Sequence, residues 1–196
     1  MLDSPHSPSP VPLRFEMIGM GIYTIPGFLS PTECERGIAE AEGLGFEGAT
    51  IQRSDSAVLD ARVRNNDRLV RDDPALADAL WERARPCMPP ELIGRRLVGL
   101  NPRLRWYRYM PGQRFRWHAD GAYTDAQGRR SILTFMVYLN DGYGGGETRL
   151  RWTAVQPEAG RALVFDHDQS HEGAEVLSGV KYVLRTDVMS EELGLA

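Results

Sequence analysis

The sequence predicts a mainly β protein with flanking helices, folded as a sandwich or jelly-roll barrel. Helical patterns occur only in the first half of the chain, and from Leu97 onward short apolar or alternating runs replace them. Turn signals such as Pro111-Gly112 and Ser178-Gly179 separate these runs. Short strands bounded by glycine and proline at such spacing are typical of sandwiches and jelly rolls. We therefore expect the helices to pack on the outside of the barrel.

Length and composition fit one compact domain. The chain has 196 residues, of which 42% are hydrophobic and 26% charged, so it can bury a sizeable core and is too short for a split into domains to be expected. Serine and proline dominate residues 1–12, which we predict to be a flexible tail. Residues 13–196 are predicted to form the single domain.

Charge and hydropathy exclude several classes of partner. A net charge of −4 and a pI near 5.6 do not favour nucleic acid or an anionic membrane. No run approaches the roughly 20 apolar residues of a membrane span, and the N-terminus lacks an export signal. We expect a cytoplasmic protein that binds neither nucleic acid nor membrane, and the sequence predicts no oligomeric state. Cys34 and Cys87 lack metal or redox spacing and are expected to be free thiols.

The first half supplies an entry strand and two helices. Residues 21–28 predict a short strand, after which Ser30 or Thr32 is expected to cap a helix that continues to about Gly43. Residues 49–71 alternate weakly and predict strand and loop. Pro74 then opens a second helix over residues 75–85.

The second half supplies the strands of the barrel. Each run has the apolar or alternating character of a strand and is bounded by a turn signal. The strands are predicted over residues 103–110, 115–120, 131–139, 148–152, 161–165 and 181–189.

Two histidines and a carboxylate form a candidate metal site. His118 and Asp120 are two residues apart, so in a strand their side chains share one face and can hold one ion. A third ligand, His171, would come from a neighbouring strand. Two imidazoles and one carboxylate leave coordination positions open, which is typical of Fe(II) oxygenases and not of closed structural zinc sites. His167 competes for the third position, but His171 is favoured by its spacing from Lys181.

One lysine stands among the 23 lysine and arginine side chains. Lys181 lies between Val180 and Tyr182 in an apolar strand, which argues against an ordinary solvated lysine. An ammonium is a compact point charge, whereas a guanidinium is a wide planar fork. The lysine therefore predicts a small anion pocket. Arg185 lies four residues further on, on the same face of the strand, and is the second candidate for this pocket.

Several motifs in a fixed order resemble the Fe(II)- and 2-oxoglutarate-dependent dioxygenases, specifically the prolyl 4-hydroxylase-like family. The resemblance covers roughly residues 97–190 and implies a double-stranded β-helix, the cupin-like form of the jelly roll. The motifs that carry it are Tyr109-Met-Pro-Gly112-Gln113 through His118-Ala-Asp120, Leu133-Thr134 through Tyr138-Leu139-Asn140, Gly145-Gly146-Glu147-Thr148, Gly160 through Phe165, His171 and Lys181.

The resemblance implies the cofactors and the residues that bind them. His118, Asp120 and His171 would be the catalytic residues that bind Fe(II). Lys181 would bind the distal carboxylate of 2-oxoglutarate, with Arg185 as a second candidate. Residues expected to contact the co-substrate or line its cavity are Tyr109, Thr134 and Tyr138, of which Tyr138 is equally consistent with core packing. The implied reaction consumes O2, with ascorbate as a supporting reductant, hydroxylates an aliphatic C–H and releases succinate and CO2.

The substrate is left open by the sequence. Arg64, Asn66 and Arg68 belong to a polar segment that either reaches over the barrel mouth or forms a solvated loop. Trp117 flanks His118 and is a candidate for the rim. A prolyl or peptide substrate and a small molecule are both compatible with these residues. Two other classes also remain: a cupin-like metal-dependent isomerase and a jelly roll that binds a small acid without oxidising anything.

Overall fold

A computed structural model of the chain describes residues 12–48, 51–53, 56–58 and 63–193. The predicted tail, apart from residue 12, lies outside the described residues. The helices are α1 (Pro31–Leu44) and α2 (Pro74–Ala84). The strands are β1 (Glu16–Gly19), β2 (Ile22–Ile25), β3 (Glu47–Gly48), β4 (Ile51–Arg53), β5 (Ser56–Val58), β6 (Asp67–Asp72), β7 (Glu91–Leu92), β8 (Arg95–Leu100), β9 (Arg103–Tyr109), β10 (Phe115–His118), β11 (Arg130–Tyr138), β12 (Gly144–Gly145), β13 (Thr148–Leu150), β14 (Thr153–Val155), β15 (Ala162–Asp166), β16 (His171–Gly173), β17 (Val176–Ser178) and β18 (Lys181–Glu192).

Two antiparallel sheets build the barrel. The major sheet has the strand order β1-β2-β15-β11-β18-β9-β6-β3, with β8 paired to β18 and β7 paired to β8. The minor sheet has the order β10-β16-β13-β14, and the pairs β12-β17 and β4-β5 form two short ribbons. The prediction of a mainly β, double-stranded β-helix fold with flanking helices is confirmed.

Side-chain alternation along the central strands separates two cores. In β11, Leu133, Phe135 and Val137 belong to the core that also contains residues of α1 and α2. The alternate positions Met136 and Tyr138 belong to the core between the two sheets. Successive strand residues point to opposite faces, so one strand supplies both cores. Burial of each large apolar side chain contributes roughly 1.5–3 kcal/mol.

The two helices begin where the capping signals place them. The Ser30 hydroxyl accepts a hydrogen bond from the backbone N of Glu33 at 3.3 Å, and the Glu33 carboxylate accepts one from the backbone N of Ser30 at 2.8 Å. This reciprocal capping box makes Ser30, and not Thr32, the N-cap of α1. Asp73 caps α2 through the backbone N of Leu76 at 3.0 Å. Arg83 of α2 then pairs with Glu33 at 2.6 Å and ties the helices together.

The strand boundaries differ from the prediction at the candidate metal site. β10 ends at His118, so Asp120 lies beyond the strand and not on it. His171 begins the three-residue strand β16, which pairs with β10, so the expectation that His171 lies on a neighbouring strand is confirmed, although so short a segment has no alternation that would give its bounds. Cys34 and Cys87 are free thiols, as expected. No helix among the described residues is long and apolar enough to cross a membrane.

Gly160 joins α1 to the barrel and is expected to be intolerant of substitution. Its φ is +79°, and an added Cβ would lie 2.0 Å from the Leu29 carbonyl oxygen. The Leu29 backbone N donates to the Gly160 carbonyl at 3.0 Å. This bond fixes the Leu29 backbone, so the Leu29 carbonyl cannot move away freely. Gly160→Ala is expected to lower the free energy of unfolding by about 2 kcal/mol or more in a urea titration.

Gly27→Ala is the matched control for this change. Gly27 also has a positive φ, +61°, but nothing lies within 4 Å of an added Cβ. Gly27→Ala should lower the free energy of unfolding only by the cost of a positive φ in a residue with a Cβ, about 1 kcal/mol. Equal losses in the two variants would show that the contact with Leu29 is unimportant.

Candidate active site

One cavity between the two sheets contains most of the predicted site residues. It is open on one side and bounded by β9, β10, β11, β16 and β18. Its lining residues are Tyr107, Tyr109, Phe115, His118, Asp120, Thr134, Met136, Thr148, His171, Gly173, Lys181, Val183 and Arg185.

The three predicted metal ligands converge in this cavity. The β10–β16 register places His118 directly opposite His171. The Nε2 atom of His118 lies 3.8 Å from Asp120 Oδ1, and the Nε2 atom of His171 lies 3.7 Å from Asp120 Oδ2. One ligand atom from each of the three residues lies within 4.8 Å of the other two. The three groups can therefore contact one ion, although Asp120 follows the strand end.

Backbone carbonyls set the orientation of both imidazoles. His118 Nδ1 lies 2.8 Å from the Arg116 carbonyl, and His171 Nδ1 lies 2.9 Å from the Gln169 carbonyl. A carbonyl only accepts, so each Nδ1 carries the hydrogen and each Nε2 lone pair is free to bind a metal. Burial, reinforced by the neighbouring His171, lowers the pKa of His118 to about 4. Burial also lowers the pKa of His171. Both rings are thus neutral at neutral pH, as metal binding requires.

Asp120 is held as a carboxylate with one oxygen already occupied. Its Oδ2 accepts a hydrogen bond from the Thr134 hydroxyl at 2.5 Å and pairs with Arg185 Nη2 at 3.1 Å. Burial raises the pKa of Asp120, but Arg185, His171 and the Thr134 hydrogen bond outweigh it and hold the pKa well below its usual range. Two neutral imidazole nitrogens and one ionised carboxylate are a donor set that fits Fe(II) and leaves open positions.

His167 lies behind the metal ligands and outside their group. Its Nδ1 lies 3.2 Å from the Thr134 hydroxyl, and its Nε2 lies 3.0 Å from the Ser131 hydroxyl. Because the Thr134 hydroxyl donates to Asp120, it must accept from His167 Nδ1, which leaves Nε2 to accept from Ser131. The Ser131 hydroxyl in turn accepts from the Tyr123 backbone N at 2.8 Å. His167 therefore belongs to a directed hydrogen-bond chain that ends on Asp120.

Lys181 is buried in the wall of the same cavity. It is 2% exposed, and its Nζ donates to the Gly146 carbonyl at 2.7 Å. The Tyr109 and Tyr138 rings lie 5.2 and 5.6 Å from Nζ. Within the described part of the chain Lys181 pairs with no carboxylate. Burial lowers the pKa of Lys181 to about 7, although the charge of Glu147 opposes this. A buried ammonium without a counter-ion favours binding of an anion.

The other predicted co-substrate residues have three different environments. Tyr109 lines the cavity, as does Thr134, whose hydroxyl is directed to Asp120. Tyr138 is fully buried behind the cavity lining and donates to the Thr148 hydroxyl at 2.7 Å. Arg185 pairs with Asp120 and, at 2.9 Å, with Asp187 Oδ1. It therefore lies at the metal ligands and not beside Lys181.

None of the predicted substrate residues lines the cavity, but Arg64 contacts two residues that do. Arg64 is 6% exposed, and its guanidinium lies between the Tyr107 and Phe115 rings at 4.3 and 4.4 Å from their centroids. The Asn66 side chain accepts from Arg64 Nε at 2.7 Å and is fully buried, so neither residue belongs to a solvated loop. Trp117 is half-exposed beside His118.

Arg68 and Tyr107 share the inner face of the major sheet. Arg68 lies opposite Tyr107 in the β6–β9 register. Tyr107 is not among the predicted site residues, although it stands two residues before Tyr109 on a predicted strand and therefore shares its face.

Comparison with known proteins finds one family to which the second half of the chain is similar. Residues 104–186 match the 2OG-Fe(II) oxygenase superfamily, and this segment contains the three metal ligands and Lys181. The match covers 83 of the 196 residues and implies Fe(II), 2-oxoglutarate and O2 as cofactors, and the donor set of His118, Asp120 and His171 fits that chemistry. Among curated proteins, none matches the chain significantly.

Solved prolyl hydroxylases share the fold of this oxygenase. A viral collagen prolyl hydroxylase from Paramecium Bursaria Chlorella virus-1, in its 2OG complex, has 22% identity and a TM-score of 0.61 over 88% of this chain and 98% of that chain. A Pseudomonas putida prolyl-4-hydroxylase has 21% identity and a TM-score of 0.62, covering 86% and 92%. A Trichoplax adhaerens prolyl hydroxylase in complex with a hypoxia inducible factor peptide fragment has 18% identity and a TM-score of 0.67, covering 86% and 83%.

Proposed function

We propose that this oxygenase hydroxylates an aliphatic C–H of a prolyl, peptide or small-molecule substrate and forms succinate and CO2 from 2-oxoglutarate. The observation that carries the proposal is Lys181, a buried ammonium that shares one cavity with His118, Asp120 and His171. The dianionic co-substrate supplies the counter-charge that this ammonium otherwise lacks. When bound, Fe(II) supplies the redox chemistry that couples O2 and 2-oxoglutarate to oxidation of the C–H bond.

The side chains would bind, orient and exclude water. His118, Asp120 and His171 would hold the metal through two imidazole nitrogens and one carboxylate oxygen. Lys181 pairs with the distal carboxylate of 2-oxoglutarate. Tyr109 lines the cavity next to Lys181, while Met136 and Val183 make its wall apolar, which keeps bulk water from the co-substrate. The reaction requires no general base, and we assign none.

The first substrate class to test is a prolyl peptide. Three prolyl hydroxylases share the fold, and the structure of one of them contains a hypoxia inducible factor peptide fragment. Trp117, which precedes His118, is exposed enough to contact such a peptide. The family match favours an oxygenase over a cupin-like isomerase or a non-oxidative acid-binding jelly roll.

Succinate release tests the proposal. The protein is incubated with Fe(II), ascorbate and 2-oxoglutarate, first alone and then with proline-containing peptides and free amino acids. Slow succinate formation without substrate, faster formation with one compound and the gain of one oxygen atom by that compound are the expected results. The absence of any 2-oxoglutarate turnover would contradict the proposal.

The affinity for 2-oxoglutarate is expected to depend on the protonation of Lys181. Its pKa is lowered to about 7, so the ligand-free protein loses this proton as the pH rises through 7. Because the co-substrate binds the ammonium form, its dissociation constant should be constant below pH 7 and rise about tenfold for each pH unit above it. Calorimetric titration of the Mn(II)-loaded protein measures this, since the bound metal keeps His118 and His171 neutral.

The same titration also counts protons. Above pH 7, binding should take up close to one proton per 2-oxoglutarate, which appears as a dependence of the heat on the ionisation enthalpy of the buffer. An affinity that stays constant from about pH 6 to pH 9 would exclude Lys181 as the titrating anchor.

A further inference from the structure

Arginines occupy neighbouring inward-facing positions of the major sheet. Arg105 of β9 lies directly opposite Arg185 of β18, and Arg68 of β6 lies opposite Tyr107. Residues two apart on a strand share a face, so these arginines point to the same side as the cavity residues Tyr107 and Lys181. Like charges directly opposite each other are unfavourable unless another charge compensates them.

The carboxylates of this region compensate Arg185 more fully than Arg105. Arg185 pairs with Asp120 at 3.1 Å and with Asp187 at 2.9 Å. Arg105 Nη1 reaches Asp187 only at 3.5 Å and otherwise donates to the Arg103 carbonyl at 3.2 Å. In the described part of the chain, its Nε and Nη2 atoms donate to no residue. One side of the Arg105 guanidinium is therefore available to a ligand.

Arg64 presents a second unused donor. Its Nε donates to Asn66, whereas its buried Nη2 has no acceptor among the described residues. Its guanidinium is fixed between the rings of Tyr107 and Phe115, both of which line the cavity. A buried polar atom without a partner in a rigid setting indicates an absent ligand or water.

The pKa shifts of Tyr107 and Arg68 agree with this clustering of arginines. Burial raises the pKa of Tyr107, but Arg64, Arg185 and Arg105 outweigh it and lower this pKa. Burial and the charges of Arg64 and Arg105 lower the pKa of Arg68. Positive charge is therefore concentrated around Tyr107 in the cavity wall.

We propose that the substrate of this oxygenase carries a carboxylate, which binds to Arg105 and Arg64 beside Tyr107. This inference rests on the proposed function and specifies its substrate class. The 2-oxoglutarate carboxylate at Lys181 is a separate ligand group. Arg105 lies opposite Arg185 in the β9–β18 register, and Arg185 is four residues, or roughly 13 Å along β18, from Lys181. Planar guanidinium groups are suited to bidentate binding of a carboxylate.

Pairs of compounds that differ only in a carboxylate test this inference. L-proline is compared with L-prolinamide, and proline-containing peptides with an adjacent glutamate are compared with the same peptides carrying glutamine. Stimulation of succinate release by the free acid alone identifies a free amino acid, and stimulation by the glutamate peptide alone identifies an acidic peptide. Equal responses to acid and amide throughout the set, including no response to either, overturn the inference.

Substitutions connect the preference to the residues. Arg105→Gln is expected to lower kcat/KM for the acid by on the order of 10- to 100-fold and to change kcat/KM for the amide little. Arg105→Lys keeps the charge and should restore part of the preference, which a purely structural role of Arg105 would not predict. Arg64→Gln should act in the same direction if it folds, which a melting curve checks.

The control is Arg71→Gln, which lies on β6 but faces away from the cavity and pairs with Glu40 at 2.6 Å. It should leave the ratio of acid to amide turnover unchanged. If the wild-type protein consumes no 2-oxoglutarate at all, the proposed function fails. If it consumes 2-oxoglutarate but Arg105→Gln lowers acid and amide turnover equally, only the carboxylate inference fails.

Discussion

Lys181→Met is expected to abolish 2-oxoglutarate binding and to stabilise the ligand-free protein. The ammonium is fully enclosed, and it has no carboxylate partner in the described residues, so it is unfavourable until a co-substrate arrives. Its loss leaves the distal carboxylate of 2-oxoglutarate buried and unpaired, which costs about 3–5 kcal/mol. The dissociation constant should therefore rise more than 100-fold. Calorimetric titration of the Mn(II)-loaded protein measures this change.

The gain in stability follows from the same burial. An unbranched apolar side chain of similar length avoids the desolvation cost of the ammonium and should raise the free energy of unfolding by about 1–4 kcal/mol. The Gly146 carbonyl loses its donor, which reduces this gain. Urea titration without 2-oxoglutarate gives the value. A Lys181→Met protein that is less stable than the wild type would contradict the account.

Lys181→Arg separates charge from shape. It keeps the positive charge but replaces the compact ammonium with a planar fork in a pocket bounded by the Tyr109 and Tyr138 rings. We expect an affinity for 2-oxoglutarate between those of the wild type and Lys181→Met. Wild-type affinity in Lys181→Arg would show that the pocket does not require a lysine.

Thr134→Val is expected to weaken metal binding by about 10- to 100-fold. The substitution keeps the shape of the side chain but removes the 2.5 Å hydrogen bond to Asp120 Oδ2. That bond and Arg185 occupy one carboxylate oxygen and direct the other toward His118. Without it, Asp120 gains freedom to rotate, and the ligand set is less well ordered before the ion binds. Titration with Mn(II) or Co(II) in the absence of 2-oxoglutarate reports this affinity independently of turnover.

Thr148→Val provides the matched control. Thr148 is also a buried threonine of the cavity, but its hydroxyl accepts from Tyr138 and contacts no metal ligand. Metal affinity should remain at the wild-type value in Thr148→Val. Equal losses in Thr134→Val and Thr148→Val would indicate a general disturbance of the cavity and not an effect on Asp120.

His167 and His171 should respond differently in the same titration. His171→Ala removes a ligand and should abolish metal binding. His167→Ala removes the hydrogen bonds to Thr134 and Ser131 but no metal ligand, so its effect on metal affinity should not exceed that of Thr134→Val. A His167→Ala protein that loses the metal as completely as His171→Ala would make His167 a ligand and would refute the hydrogen-bond chain.

The sequence predicted the elements of the fold because their signals are local, and the metal-binding trio because the order of its motifs resembles a known family. The capping pattern at Ser30 and the alternation in β11 arise from neighbouring residues, so they can be recognised without coordinates. The bounds of β16 were not predicted, because three residues carry too little pattern, although His171 was expected on a strand next to that of His118. The position of Asp120 beyond the end of β10 was missed because strand ends depend on pairing with other segments.

By itself the sequence determined that two imidazoles, a carboxylate and a lone lysine follow one another along a β-rich chain. Only the tertiary structure decided the partners of these groups. It placed His167 in a hydrogen-bond chain behind Asp120, directed Arg185 to the metal carboxylate and enclosed Arg64 between two rings. The physical reason is that covalent order sets which residues share a strand face, whereas hydrogen bonds and ion pairs form between side chains that register and sheet packing bring together across long separations.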